Sequence, residues 1–182
     1  MNNTFFSADW HLNHYNIMRY CNRPFSSVEE MDETILQNFY DTVKPGSVFY
    51  FLGDLTFNED VAREFFENLP NSIHFHYIIG NHDKKSVIRL AERYCDYVGH
   101  MENIKIQGKK ITLCHYAMRV WNCSHYGAWQ FYAHSHTILE PIGKQSDVGV
   151  DKWNFYMPSF YMLKDAINNL ENNMDLIKDQ ND

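Results

Sequence analysis

The sequence is short of several things at once. Four cysteines in 182 residues, at positions 21, 95, 114 and 123, are too few for a disulfide scaffold and contain no C-x-x-C pair. Basic charge is scarce as well. Sixteen Lys and Arg against 23 Asp and Glu leave a net charge of −7, which excludes a protein that grips nucleic acid mainly through a basic surface. No window approaches the run of about 18 apolar residues that a membrane span needs. The opening stretch Met1–His11 lacks the basic and long apolar regions of a signal peptide. Neither internal repeats nor low-complexity linkers interrupt the chain. A reducing cytoplasm with free thiols is the expected location.

What the chain does hold is core-forming material and histidine. Hydrophobic residues make up 45% and aromatics 16%, enough to fill a sizeable core and to rule out disorder, collagen and repeat scaffolds. The length fits one domain, expected over residues 1–171, with a polar tail over 172–182. Ten histidines in an acidic chain are either a metal site or an accident, and their positions decide between the two.

Thr4–Ala8, Ser47–Leu52 and Ile73–Ile79 read as apolar strands. Between them lie two helical patterns, one opening at Ser27 with a capping box and closed by Pro45-Gly46, the other capped by Asn58 and stopped by Pro70-Asn71. Ser7–Phe25 reads as a polar and aromatic loop, and a short helix follows from about Lys84 to Tyr94. Asn103–Gln107 and Lys110–His115 flank Gly108-Lys109 as a hairpin, and Trp129–Ala133 and Asp147–Val150 are further strands. Pro158 opens a last helix to about Leu170. Helices and strands alternate early and strands cluster late, which is an α/β domain.

Ligands in open α/β sheets gather beyond the carboxyl ends of the strands. Here the strand ends deliver Asp9 and His11, then Asp54, then Asn81 and His82, then His115, then His134 and His136. Four His, two Asp and an Asn are too many ligands for one tetrahedral zinc, so two divalent ions are expected. The donors are oxygen and nitrogen without thiolate, a set that suits Mn, Fe, Zn or Ni; Mn is the first choice. Two metals about 4 Å apart can clamp phosphoryl oxygens and activate a water, and one carboxylate must bridge them. Asp54, in the middle of the set, is assigned that place. Each of these residues taken singly has a structural reading, as a turn or cap at a strand end. His74 and His76 share a strand face and read as packing or surface residues, and His100 and His125 have no motif support.

The series Asp9-x-His11, Gly53-Asp54, Gly80-Asn81-His82-Asp83, His115 and His134-x-His136 resembles the calcineurin-like metallophosphoesterase superfamily. Ser7–Phe25, with His14 and Arg23-Pro24-Phe25, is further similar to the small bacterial and phage phosphoesterases of that superfamily. The resemblance implies a four-layer αββα sandwich of two mixed β-sheets flanked by helices. It also implies that Asp9, His11 and His136 hold one metal, that Asn81, His115 and His134 hold the other, and that Asp54 bridges. His82 would act at the leaving group as general acid or transition-state donor, with Asp83 as its orienter. Two departures stand out. Ala133 replaces the glycine usual before the last His-x-His, and Leu55-Thr56-Phe57-Asn58 follows Asp54 where the Ser/Thr protein phosphatases carry an arginine. Protein phosphatase activity is therefore not expected.

Four further residues are candidates for substrate contact. His14 reads equally as a donor supporting a ligand or as a substrate contact. Trp10 would either stack on a base at the mouth or pack in the core. Arg23 and Arg119 are the candidates for a bidentate phosphate clamp. The reading is a binuclear metal-dependent phosphoesterase acting on a phosphodiester or phosphomonoester of a small, nucleotide-like molecule. Attack is by metal-activated hydroxide in a single displacement, since no side chain in the set is a covalent nucleophile. The alternatives are a nuclease on short or single-stranded nucleic acid and a non-catalytic metal-binding module. No membrane association and no strong non-specific nucleic-acid binding are expected.

Overall fold

The computed structural model describes residues 3–173. β1 (Thr4–Ser7), β2 (Val48–Phe51), β3 (His74–Ile78) and β4 (Tyr97–Gly99) lie side by side in that order, every pair parallel. Parallel neighbours require crossovers. These are supplied by α1 (Tyr15–Tyr20) with α2 (Val28–Thr42), by α3 (Glu59–Glu67) and by α4 (Lys85–Tyr94). Helices α2, α3 and α4 cover one face of the sheet. Met31, Ile35 and Phe39, Ala62, Phe65 and Phe66, and Val87, Leu90 and Ala91 pack on Phe49, Phe51, Phe75 and Tyr77.

Successive side chains of a strand point to opposite faces, so Phe6, Tyr50, Leu52 and Ile78 look the other way. There they meet a second sheet of β5 (Met101–Ile106), β6 (Lys109–Cys114), β7 (Trp129–Tyr132) and β8 (Gln145–Asp147). β5 and β6 form an antiparallel hairpin; β6–β7 and β7–β8 are parallel, so this sheet is mixed. The hairpin turn places both Gln107 (φ 48°) and Gly108 (φ 82°) in the left-handed region, as a two-residue turn matched to strand twist demands. Ile111, Leu113, Trp129 and Phe131 close the inter-sheet core, joined by Phe160, Leu163 and Ile167 of α5 (Phe160–Asn168). The result is the expected arrangement of two sheets flanked by helices, with the difference that the first sheet is wholly parallel where two mixed sheets were expected.

Three local differences from the sequence expectation have physical reasons. The Ser7–Phe25 stretch contains α1, six residues long with no side-chain cap, held by burying Ile17 and Met18. The strand expected over Asp147–Val150 stops at Asp147, whose Oδ1 accepts from Gly149 N–H at 2.7 Å and turns the chain into a 3-10 turn over Val150–Lys152. The last helix begins at Phe160 rather than Pro158, because the Pro158 carbonyl accepts from Phe6 N–H at 3.0 Å and Ser159 bridges to Phe5 at the sheet edge. The polar tail expected over 172–182 lies, from residue 174 onward, outside the described residues.

One candidate contact residue is corrected here. Trp10 does not reach the mouth of any cleft. It is fully buried, its indole N–H donates to Ser7 Oγ at 2.7 Å, and its ring packs among Phe39, Phe49, Phe51 and Phe65. The left-handed turns at Asp9 and His11, on either side, leave the intervening side chain in the helix-side core. Trp10→Ala is expected to destabilise the fold by about 3–5 kcal/mol in a urea titration, the range for truncating a large buried aromatic; a change under about 1 kcal/mol would contradict this placement.

Candidate metal centre and active site

The sequence-predicted ligands converge because the chain turns sharply after each strand. Asp9 (φ 58°), His11 (51°), Asp54 (61°), His134 (68°) and His136 (45°) all sit in the left-handed region. Asp and His tolerate that conformation better than most residues, but each departs from the ordinary backbone and needs its surroundings to hold it. The holding is visible. Past the ends of β1 and β2 the two loops remain paired, with Asp9 N–H to the Gly53 carbonyl (3.0 Å), His11 N–H to Asp54 (3.0 Å) and Leu12 N–H to Leu55 (2.8 Å). Gly149 lies so close that a Cβ there would stand 2.8 Å from Asp9 Oδ2, and Gly53 (φ 90°) is pressed against Gly80 in the same way.

Three groups of ligand atoms result among the described residues; one, of Cys21, His136 and Asp151, adjoins the two that carry the expected ligands. Those of Asp9, His11 and His136 lie within 4.8 Å of one another, and so do those of Asp54, His115 and His134. Asp54 links them: its Oδ2 is 3.7 Å from His11 Nε2 and 3.4 Å from His115 Nε2. Asn81 joins the second group, its Oδ1 2.9 Å from His115 Nε2.

The hydrogen bonding shows what is missing. Asp9 Oδ1, His11 Nε2 and Asp54 Oδ2 are buried and have no hydrogen-bond partner. Buried polar atoms are nearly always satisfied, so three unsatisfied ones converging on one place mark a cation site. The other carboxylate oxygens and one nitrogen of His115 are already engaged. Asp9 Oδ2 accepts from His134 N–H (2.8 Å), Asp54 Oδ1 accepts from His82 N–H (2.9 Å), and His115 Nδ1 is 2.6 Å from the Leu52 carbonyl. With Nδ1–H donating, His115 Nε2 turns a lone pair toward two oxygens, an arrangement a cation satisfies. The donors present therefore fit divalent metals.

Burial pushes the Asp9 carboxyl up to about 7 and the His11 imidazole down to about 3, so the His11 ring is neutral across the physiological range. Burial alone would also lower His136, but its hydrogen bonds with Asp151 and Cys21 and the nearby Asp9 and Asp151 carboxylates together outweigh this and raise the ring to about 10. Burial likewise opposes, and the Asp54 carboxylate drives, an upward shift at His115.

Arg23 was a candidate phosphate clamp, and the structure corrects that. It is 5% exposed, and its guanidinium faces inward. Nε and Nη2 form a fork on the Asp151 carboxylate (2.8 and 2.9 Å), while Nη1 and Nη2 donate to the carbonyls of Trp10 (2.9 Å) and Asp9 (2.6 Å). Asp151 Oδ2 in turn receives His136 Nδ1 at 2.7 Å, which leaves Nε2 free to ligate. Arg23 and Asp151 are thus positioning residues for Asp9 and His136. Asp151 carried no local signal in the sequence; its partner Arg23 is 128 residues away.

Asp83 is corrected in the same sense. Its buried carboxylate accepts from Gly80 N–H (2.7 Å), Tyr77 O–H (2.8 Å), and the N–H groups of Asp54 and Leu55 (3.2 Å each). Among the described residues no hydrogen bond joins it to the His82 ring. It ties the loops after β2 and β3 together instead of orienting His82. His82 itself is exposed, its ring 5.6 Å from that of His11. His14 lines the same cleft, with Nδ1 buried and unpartnered and its ring 4.9 Å from Phe57. Arg119 is exposed on the segment after β6 and is not among the residues lining the cleft. Ala133, in place of the usual glycine, is buried in the inter-sheet core and leaves His134 and His136 in place.

A cleft of about 780 Å³ opens over both groups, floored by His11, Asp54, His82, His134 and His136. Fold and site together define a phosphoesterase with a candidate dinuclear centre. The chain matches the calcineurin-like phosphoesterase family over residues 4–173 and belongs to it. It is similar to an uncharacterised protein of Methanocaldococcus jannaschii, 33% identical over 165 residues and covering 85% of each chain. Among solved structures it resembles a protein of unknown function from Aquifex aeolicus, with a TM-score of 0.67 at 21% identity, covering 90% of this chain and 98% of that one. A looser likeness, with a TM-score of 0.48 at 13% identity, is to an archaeal phosphodiesterase and covers 80% of this chain and 81% of that one.

Two outcomes follow from this geometry. Asp151→Asn removes the carboxylate that orients His136 and is expected to weaken divalent metal binding about 10–100-fold in calorimetric titration; unchanged affinity would disprove the positioning role. In metal-free protein, His136 is protonated more readily folded than unfolded. The stability it contributes is fully present below pH 6.5 and is lost as pH rises through about 10. Thermal melts from pH 7 to 10 without metal are expected to show that decline, and metal loading, which requires the neutral imidazole, to remove it.

Proposed function

We propose that this protein is a binuclear metal-dependent phosphoesterase that hydrolyses a phosphodiester of a small, nucleotide-like molecule. The observation that carries the reading is the pair of ligand groups meeting at Asp54, each with buried atoms that lack partners. Asp9, His11 and His136 would hold one divalent ion and Asn81, His115 and His134 the other, with Asp54 shared. Mn²⁺ is the first ion to load, and Fe, Zn or Ni suit the same oxygen and nitrogen donors. Bound there, two such ions would supply Lewis acidity toward the phosphoryl oxygens and lower the pKa of an attacking water.

The chain's own contribution is placement and proton delivery. Asp54 fixes His82 through the backbone N–H while the ring stays free in the cleft, where it can give a proton to the departing oxygen. No Ser, Thr or Cys stands in either of the ligand groups that meet at Asp54, which favours a single displacement; Cys21, beside His136 and Asp151, lies in a third group. Among the described residues no helix is long and apolar enough to cross a membrane.

Steady-state assays with Mn²⁺ on a generic diester, paired with metal analysis, test this. Asp54→Asn is expected to lose metal and nearly all activity. His82→Ala is expected to keep its metal while kcat falls about 10²–10⁴-fold. Wild-type protein that binds metal but hydrolyses no phosphoester would leave a non-catalytic metal-binding module as the reading.

A further inference from the structure

The cleft has two chemically different sides. Its floor is polar, made of the ligand groups and His82; its wall is apolar, made of Ile17 and Tyr20 from α1 with Ile138 and Leu139 from the segment after His136. Tyr20, Ile138 and Leu139 are 69%, 84% and 51% exposed, so the core makes little use of them. Apolar side chains left in water beside a reaction centre form a surface for an apolar group of the ligand.

The charge pattern narrows the ligand further. Among the described residues lining the cleft there is no lysine or arginine. Arg23 is close in space to the ligands but is neutralised by Asp151. Lys84 lies 5.9 Å over the Phe57 ring and does not line the cleft. A dianionic monoester is usually gripped by such cations, whereas a monoanionic diester asks less of them.

Resting on the phosphoesterase reading, we infer that α1 and the Ile138–Leu139 segment form a specificity wall that seats the flat or apolar substituent of a phosphodiester monoanion. In the reaction the water oxygen bonds to phosphorus as the bond from phosphorus to the leaving oxygen breaks. Of the two water protons, one replaces the proton that His82 gives to the departing alcohol and the other is released to solvent. The products are an alcohol and a phosphomonoester carrying the retained substituent. The retained group stays against the wall while the bond to the other ester oxygen breaks. The dianionic product finds no Lys or Arg among the described lining residues to hold it beyond what the metal ions supply.

The test uses Mn²⁺-loaded protein and three diesters that share 4-nitrophenolate as leaving group but carry methyl, phenyl or thymidine 5′ as the other substituent, with 4-nitrophenyl phosphate as the monoester. In the wild type, kcat/KM is expected to be about tenfold or more higher for the phenyl or thymidyl diester than for the methyl one, mainly through KM. Ile138→Ser/Leu139→Ser and Tyr20→Ser, all at exposed positions, are expected to cut that ratio at least threefold. A thymidyl diester ahead of the phenyl one would assign the wall to a nucleoside; the reverse order would assign it to an aryl or aliphatic ester. Diphenylphosphinate and dimethylphosphinate, which have no ester bond to break, give the same comparison by calorimetry. The wall variants should lose affinity for the diphenyl compound only. A phenyl-to-methyl ratio unchanged by the variants, or a monoester hydrolysed faster than every diester, overturns this inference and leaves the phosphoesterase reading standing. Failure of all four esters overturns both.

Discussion

The Asp54 carboxylate is the constraint on which the rest of the site depends. One oxygen is committed to the His82 backbone N–H, and the other stands unpartnered between His11 and His115. To hold that group buried, the protein packs the loops after β1, β2 and β3 against one another with very little room. Gly53 faces Gly80 across the gap, and Asp83 accepts backbone N–H groups from both loops. An isolated buried carboxylate is costly, and so is a left-handed aspartate. Both are held here over a parallel sheet dense with aromatic rings: Phe49, Phe51, Phe75 and Tyr77 pack in edge, tilted and stacked contacts under α3 and α4. The core thus offsets the strain of a centre that contributes little to stability by itself.

The candidate ligand set was legible because apolar strand chemistry gives way to ligand chemistry just past the strand ends. β1, β2 and β7 are mostly apolar, and two or three residues after each the chain must accept a tight turn. Aspartate and histidine do both jobs, as at Asp9, Asp54 and His134, whose φ values lie between 58° and 68°. Supporting residues were harder to see, because burial and distant pairing leave no local mark. Arg23 looks like any arginine in a loop until Asp151 is found to complete its fork. Trp10 looks like a mouth residue until the helix-side core closes over it. The helix α1 escaped for a related reason: six residues without a cap carry almost no periodic signal, and only the burial of Ile17 and Met18 holds them. Pro158 would open a helix on propensity alone, yet tertiary pairing of its carbonyl with Phe6 keeps it extended.

Charge gives the centre its link to folding. The one guanidinium buried beside it is matched by Asp151, so that pair brings no net positive charge to Asp9 and Asp54. Without a cation the folded chain compensates with protons. Burial holds the Asp9 carboxyl up at about 7, and the contacts of His136 and His115 with carboxylates favour their protonated rings despite burial. A divalent ion in either group must displace such a proton, so metal uptake releases protons and strengthens as pH rises. Protons and a divalent ion therefore compete for the same lone pairs, at a centre where Asp9 Oδ1, His11 Nε2 and Asp54 Oδ2 have no hydrogen-bond partner among the described residues.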